Sequence, residues 1–117
     1  MSRLVVKDII NSELAVSTEK GELVFNELDA RLKNKEKVVI DFKGVDLIIP
    51  AFLNSAIGKL YSKNIYTTEF LNEHIKLENI EEEDVSLFKD VITRAKEYFE
   101  DKENFENDAN NMIYGKD

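Results

Sequence analysis

The sequence has no cysteine and no tryptophan, one proline, one histidine and only four glycines in 117 residues. Without cysteine, disulfide frameworks, thiolate zinc sites and cysteine nucleophiles are excluded, and an intracellular setting is the simpler interpretation. No apolar run approaches the roughly 20 residues of a membrane helix, and the apolar run in MSRLVVKDII is too short for a signal peptide. We therefore expect a cytoplasmic protein without a membrane segment.

Groups suited to catalysis or to metal binding are also scarce. His74 falls on a short predicted strand, and spacing identifies no serine or carboxylate partner for it. The acidic segment 101–108 superficially resembles a calcium loop, but it has no glycine for the sharp turn, and Phe105 falls where an oxygen ligand is required. The four glycines are isolated, so there is no phosphate-binding loop. We expect neither an enzyme nor a bound metal or cofactor.

The charge of the chain is negative and uneven. The formal net charge is −8, and residues 81–117 hold 12 acidic and 5 basic residues. A short basic cluster at residues 31–37 falls where a helix is predicted to end, and interaction with the helix dipole explains it without a partner. We therefore predict no direct nucleic-acid binding. One alternative function stays open, an acidic inhibitor or nucleic-acid mimic of phage or mobile-element origin that acts through its C-terminal acidic segment.

Hydrophobic periodicity predicts an α/β chain in the order β(β)αβαβα. The predicted strands are residues 3–10, 14–16, 38–42 and 74–77, with the first two forming a hairpin. The predicted helices begin after a Ser17 or Thr18 cap, at Pro50 and near residue 81, and the first of them contains Gly21 where a glycine costs little. The expected fold is an α/β domain over residues 1–102, with a small mixed sheet of three to four strands and three main helices. Residues 103–117 are expected to form a polar, acidic tail.

Residues 38–42, VVIDF, are apolar at both alternating positions except for Asp41. Such a strand is typically central and covered by helices on both faces. A buried carboxylate needs hydrogen bonds, and the N–H groups of the Lys43-Gly44 turn or of the following helix can supply them. We predict that Asp41 and Gly44 fix this loop. The alternative is a binding role for Asp41, because ligands often bind at the carboxyl ends of such strands.

The stretch VVIDFKGVDLIIPAFLNSAIGKLY, residues 38–61, followed by IKLENIEEEDVSLFKDVI, residues 75–92, resembles the STAS-like family of unknown function. That family is a small bacterial relative of the STAS domains of anti-sigma-factor antagonists and sulfate transporters. The resemblance covers about residues 3–100 and implies a STAS-like fold. It is carried by the apolar-Asp-Phe strand, Gly44-Val45, Phe52-Leu53, Gly58 and Asn79.

The resemblance also implies where a partner binds. In anti-sigma-factor antagonists, the loop before the second helix carries a Ser or Thr that a GHKL-type kinase phosphorylates, and the added charge ejects the partner. That pattern falls here at Ile49, Pro50 and Ala51, none of which is an acceptor, and Ser55 lies about one turn into the helix. We therefore expect a non-enzymatic regulatory module that binds a protein partner, a GHKL-type ATPase or another regulator, without the usual phosphoacceptor. The predicted contact residues are Asp46, Ile48, Ile49, Pro50, Phe52, Asn54 and Ser55.

Overall fold

The computed structural model describes residues 2–63 and 65–97. All strand pairs in this part of the chain are parallel, and they form one sheet of three strands and one of two. The strands are β1 (Ser2–Val5), β2 (Leu14–Ala15), β3 (Val38–Asp41), β4 (Leu47–Ile48) and β5 (Ile75–Glu78). The larger sheet has the order β1-β3-β5, and β2 pairs with β4. The prediction of a central β3 is confirmed, whereas the predicted mixed sheet is replaced by two small parallel ones.

Helices connect these strands and follow β5. Their bounds are α1 (Val6–Ile10), α2 (Thr18–Lys33), α3 (Pro50–Leu53), α4 (Lys59–Ser62), α5 (Thr68–His74) and α6 (residues 85–97). A π-helical turn, Asn54–Gly58, joins α3 to α4, so residues 50–62 are helical throughout and begin at Pro50 as predicted. A 3-10 turn, Glu82–Asp84, precedes α6. Within the described ranges, no helix is both long and apolar enough to cross a bilayer.

The predicted strand over residues 3–10 is wrong in its second half. Val6 and Ile10 are both buried and lie one helical turn apart, so their packing favours α1 over an extended chain. Asn11 then ends α1 in the left-handed conformation, with a φ of 50°. Because α1 separates β1 from β2, the two cannot form the predicted hairpin, and β2 pairs with β4 instead. The helix α5 precedes β5 and includes His74, which was predicted to begin the strand.

The start of α2 shows both a cap and a close packing contact. The Ser17 hydroxyl oxygen accepts a hydrogen bond from the Lys20 N–H at 3.1 Å, which confirms one of the two predicted caps. Gly21 is buried, and a Cβ built there would lie 2.6 Å from the Phe52 carbonyl oxygen and 2.7 Å from Ser55 Cβ. The sequence analysis predicted only that a glycine costs little here, and it gave Gly21 no packing role. Glycine allows α2 to approach the π turn closely.

The core lies on one face of the three-stranded sheet in the described residues. That face carries Leu4, Val38 and Ile40, which pack with apolar residues of α2, the 50–62 helix and α6. The opposite face carries, with Val39, the charged residues Arg3, Asp41, Lys76 and Glu78. All four residues of β3 are buried, and the predicted cover of helices on both of its faces stays a prediction. Residues 103–117, predicted to form a tail, lie outside the described part of the chain.

Candidate functional site

The two-stranded sheet exposes apolar side chains on one face. Leu14 of β2 pairs with Leu47 of β4, and these side chains are 47% and 49% exposed. The next pair, Ala15 and Ile48, points the other way and is buried in the core. Each strand therefore divides its two residues between the core and the surface.

The exposed face continues beyond the ends of both strands. The Ile49 N–H donates to the Ala15 carbonyl oxygen at 3.1 Å, which extends the ladder by one step. Val16 and Ile49 are partly exposed, and alternation places them on the same side as Leu14 and Leu47. We call these four residues, Leu14, Val16, Leu47 and Ile49, the aliphatic patch.

A helical ridge begins directly after the aliphatic patch. Pro50, Ala51 and Asn54 are exposed along it, and no side chain caps the start of α3. An open groove of about 350 Å³ on one side of the ridge is lined by Thr18, Glu22, Ala51, Asn54, Ser55 and Lys59. A second groove of about 250 Å³ on the other side is lined by Pro50, Asn54, Leu87, Asp90, Val91 and Arg94. Among the described residues, each groove has one acidic and one basic residue in its lining, so a partner that enters either groove meets both signs of charge.

Three of the predicted contact residues lie on the inner side of this surface. Phe52 is 0% exposed, Ile48 is buried, and Ser55 is 4% exposed. The Ser55 hydroxyl donates to the Thr18 carbonyl oxygen at 2.8 Å, which ties the π turn to the start of α2. Ile48 and Phe52, two of the predicted contact residues, are therefore core residues. Both residues support the surface from the core.

The other four predicted contact residues are exposed or partly exposed: Asp46, Ile49, Pro50 and Asn54. The prediction missed Leu14 and Val16, which reach the same surface only through the parallel pairing of β2 with β4. The short apolar run at residues 14–16, predicted to form a strand, is the one sequence signal that pointed to them. Without knowledge of the pairing, that signal does not show which strand lies beside β2.

A polar cluster lies at the carboxyl end of the three-stranded sheet. Asp41 Oδ1 accepts from Asn79 Nδ2 at 2.8 Å and from the Lys43 N–H at 2.9 Å. Asp41 Oδ2 accepts from Arg3 Nη1 at 2.9 Å, and Arg3 Nη2 donates to Glu78 Oε1 at 2.9 Å. We call these five residues the Asp41 cluster. Both carboxylate oxygens of Asp41 are thus occupied by groups of its own chain.

These contacts shift the ionisation of the two acids in the cluster. The hydrogen bonds from Asn79 and Lys43 outweigh burial and, with that from Arg3, hold the pKa of Asp41 below its ordinary value of 3.8. The hydrogen bond and charge of Arg3 likewise hold the pKa of Glu78 below 4.5. Asp41 is therefore a stable anion at neutral pH and is poorly suited to proton transfer. Its loop-fixing role stays a prediction that these contacts support.

Gly44 lies in the turn that follows the Asp41 cluster. Its φ is +83°, a conformation that side chains disfavour, and a Cβ there would lie 3.0 Å from Lys7 Cδ. The Val45 N–H donates to the Phe42 carbonyl oxygen at 3.1 Å and closes the turn. The chain then reaches Asp46 and the aliphatic patch. The turn therefore sets the direction in which the chain leaves the three-stranded sheet toward β4.

His74 lies at the end of α5 and makes local contacts. Its ring stacks on Phe70 with the centroids 3.9 Å apart, and Nδ1 is 2.8 Å from the Phe70 carbonyl oxygen. The structure gives it no serine or carboxylate contact among residues 2–63 and 65–97. In the same part of the chain, no group of three or more histidine or acidic side chains is placed to hold a metal ion.

The parallel sheet, the helices on its core face and the exposed helix start after β4 together define an α/β domain of the STAS-like class. The chain belongs to the family described as STAS-like domain of unknown function (DUF4325), whose sequence model matches residues 20–85. The match includes β4 and the ridge but begins after Leu14 and Val16. Comparison with curated proteins and with solved structures gave no significant match.

Proposed function

We propose that the protein is a non-enzymatic regulatory module of the cytoplasm that binds a protein partner through the aliphatic patch and the ridge after it. The observation that carries this proposal is the pairing of Leu14 with Leu47, each about half exposed, on neighbouring strands. Single exposed leucines are ordinary, whereas contiguous apolar side chains on a surface mark interaction sites. The adjoining exposed residues of the ridge, Pro50, Ala51 and Asn54, extend the surface.

The patch can supply a useful part of a binding free energy. Burying a whole leucine side chain contributes about 1.5–3 kcal/mol, so each half-exposed leucine offers roughly 1 kcal/mol. Ser17 caps α2, and the Ser55 hydroxyl fixes the π turn to α2. Because these contacts hold α2 and the helix of the ridge together, little ordering of the ridge accompanies binding.

Binding in this proposal is not switched by phosphorylation at the start of α3. Pro50 has no hydroxyl, and the Ser55 hydroxyl is buried and donates to a backbone carbonyl. A kinase would have to open the contact between α2 and the π turn to reach Ser55. The class of partner that the resemblance implies, a GHKL-type ATPase or another regulator, is part of the proposal.

The test compares two exposed leucines with equal exposure. Leu47 on the patch and Leu23 on α2 are both 49% exposed. The tagged full chain, its Leu47→Asp variant and its Leu23→Asp variant are used to capture partners from lysate of the source cells, with mass spectrometry as the readout. We expect Leu47→Asp to lose the specific partner and Leu23→Asp to keep it. Circular dichroism checks that both variants are folded.

Phe52→Asp is unsuitable for this test, because Phe52 is fully buried and an unpaired carboxylate there would unfold the domain. Capture that is equal for the Leu47→Asp and Leu23→Asp chains contradicts the proposal. If that same partner is lost when residues 103–117 are removed, the alternative acidic-inhibitor function replaces it.

A further inference from the structure

The connections at the carboxyl ends of the three parallel strands are acidic. The acidic residues that follow β1, β3 and β5 there are Asp8, Glu13, Asp46, Glu81, Glu82, Glu83 and Asp84. The same connections carry two basic residues, Lys7 and Lys43. At the amino end of β3 the balance is opposite, since residues 31–37 hold four basic residues and one acidic residue. The domain is therefore electrically polar along its strands, with the negative end beside the aliphatic patch.

Two of these acids adjoin the aliphatic patch. Glu13 and Asp46 immediately precede Leu14 and Leu47, and the Asp46 N–H donates to the Glu13 carbonyl oxygen at 2.8 Å. Asp46 is exposed and makes no ion pair within the described ranges. Glu13 has an ion pair with Lys7 at 3.5 Å, in which both side chains are about half exposed. Such surface pairs contribute little and exchange easily for another cation.

We infer that the partner contributes a basic amphipathic segment, with its apolar side chains on the aliphatic patch and its lysines or arginines facing Glu13 and Asp46. This inference rests on the proposed function and adds the chemistry of the partner to it. A second copy of the chain would bring the same acids to the same place, and like charges facing each other disfavour that pairing. The acidic turn Glu82–Asp84 at the same edge of the sheet adds to the attraction for a basic segment.

The probe is a pair of synthetic peptides of about five helical turns, or about 18 residues, with identical leucine spacing. One peptide has lysine at its remaining positions and the other has glutamate. Each is titrated into the ¹⁵N-labelled full chain, and backbone amide shifts are followed by NMR. We expect the lysine peptide to move the signals of residues 13–16 and 46–49 selectively, with an effect that weakens as salt rises, and the glutamate peptide to move none of them.

Charge variants separate a specific contact from general attraction. Replacing both acids, Glu13→Lys with Asp46→Lys, should lower the affinity for the lysine peptide by on the order of tenfold. Each charge at the rim of the patch contributes up to about 1 kcal/mol to the binding free energy. The control is Glu69→Lys with Glu73→Lys, an equal change of four charge units at two exposed residues of α5, the helix that leads into the amino end of β5. It should change the affinity less than about twofold. Thermal unfolding of each variant confirms that the fold is kept.

Three outcomes overturn the inference. The first is a lysine peptide that leaves the patch signals unmoved or moves signals over the whole surface. The second is binding that Glu13→Lys with Asp46→Lys leaves unchanged. The third is a concentration-dependent dimer in sedimentation velocity that Leu47→Asp dissolves, which assigns the patch to a second copy. If the partner capture depends on Leu47 while the peptide test fails, the proposed function stands and only the basic character of the partner is rejected.

Discussion

The connection from β3 to β4 joins the Asp41 cluster to the aliphatic patch, and the two groups differ in which side chains the fold leaves free to bind a partner. Both oxygens of Asp41 accept hydrogen bonds from Arg3, Lys43 and Asn79. The paired side chains of Leu14 and Leu47 are about half exposed. The residue that looks most reactive in the sequence is thus used by the fold, while two ordinary leucines are available to a partner.

The difference follows from the energies of the two groups. A buried carboxylate without hydrogen bonds is unstable by several kcal/mol, so a domain that encloses Asp41 must also supply its donors. A leucine left half exposed forgoes only roughly 1 kcal/mol, which a folded domain tolerates. A polar side chain in a buried strand therefore indicates hydrogen bonds within the domain. Paired apolar side chains that stay exposed indicate contact with a partner.

The largest effect should come from disturbing the packing beneath the ridge, at Gly21. In Gly21→Ala the new Cβ lies 2.6 Å from the Phe52 carbonyl oxygen, so α2 and the π turn must separate. The strain should lower the free energy of unfolding by about 1–3 kcal/mol, even after the up to 1 kcal/mol that alanine gains in a helix. Urea denaturation measures the change.

Gly58→Ala is the matched control for this prediction. A Cβ at Gly58 would lie 3.2 Å from Asn54 Oδ1 and 3.6 Å from Val91 Cγ1, and small side-chain shifts can relieve these contacts. Its stability should change by less than about 1 kcal/mol. If Gly21→Ala and Gly58→Ala lose equal free energy of unfolding, the close approach at Gly21 has no special effect on stability and the prediction is wrong.

Breaking the Asp41 cluster should have a smaller effect that depends on pH. Asp41→Asn keeps an oxygen for the Lys43 N–H and for Asn79 but removes the charge that faces Arg3. Since Arg3 is half exposed, we expect a loss of about 1 kcal/mol at neutral pH. Urea denaturation of both chains between about pH 3 and pH 7 tests this.

The sign of the pH effect follows from the lowered pKa of Asp41. Its ordinary value in an unfolded chain is 3.8, and the folded pKa is lower. The stabilisation is therefore present above pH 3.8 and disappears as the pH falls toward the folded value. The native chain should lose stability on acidification more steeply than Asp41→Asn. Parallel curves would mean that the charge of Asp41 is unimportant to the fold.

Much of the fold was predictable because its elements carry strong local signals. Ser17 caps α2, and Pro50 opens the helix over residues 50–62. In contrast, α1 was missed because Val6 and Ile10 satisfy both strand and helix patterns, and only their burial favours the helix. Gly21 was correctly placed in α2, but its packing role was not predicted. A close approach between two helices leaves no recognisable pattern in the sequence of either helix.

The candidate site was also predictable only in part, because contacts between distant elements leave no local pattern in the sequence. Asp46, Ile49, Pro50 and Asn54 belong to one stretch that the resemblance pointed to, and they do reach the surface. Phe52 follows the same apolar pattern but is buried. Its burial was not predicted, because helical periodicity alone does not say which apolar residues of a helix face the core. Leu14 joins the surface through a pairing between strands distant in sequence, which no local pattern encodes.

The smallest effect on stability should come from the aliphatic patch itself, and it decides the comparison between the two regions. Leu47→Ser and Leu14→Ser should each lower the free energy of unfolding by less than about 1 kcal/mol, because only about half of each side chain is buried. Their double-mutant cycle should give a coupling of about 0.2–1 kcal/mol, the range for cross-strand neighbours. Losses of about 2 kcal/mol or more in either single variant would show that the leucines belong to the core. Small losses together with a lost partner would separate binding from folding at these two positions, because the native chain then keeps the exposed leucines without needing them for its own stability.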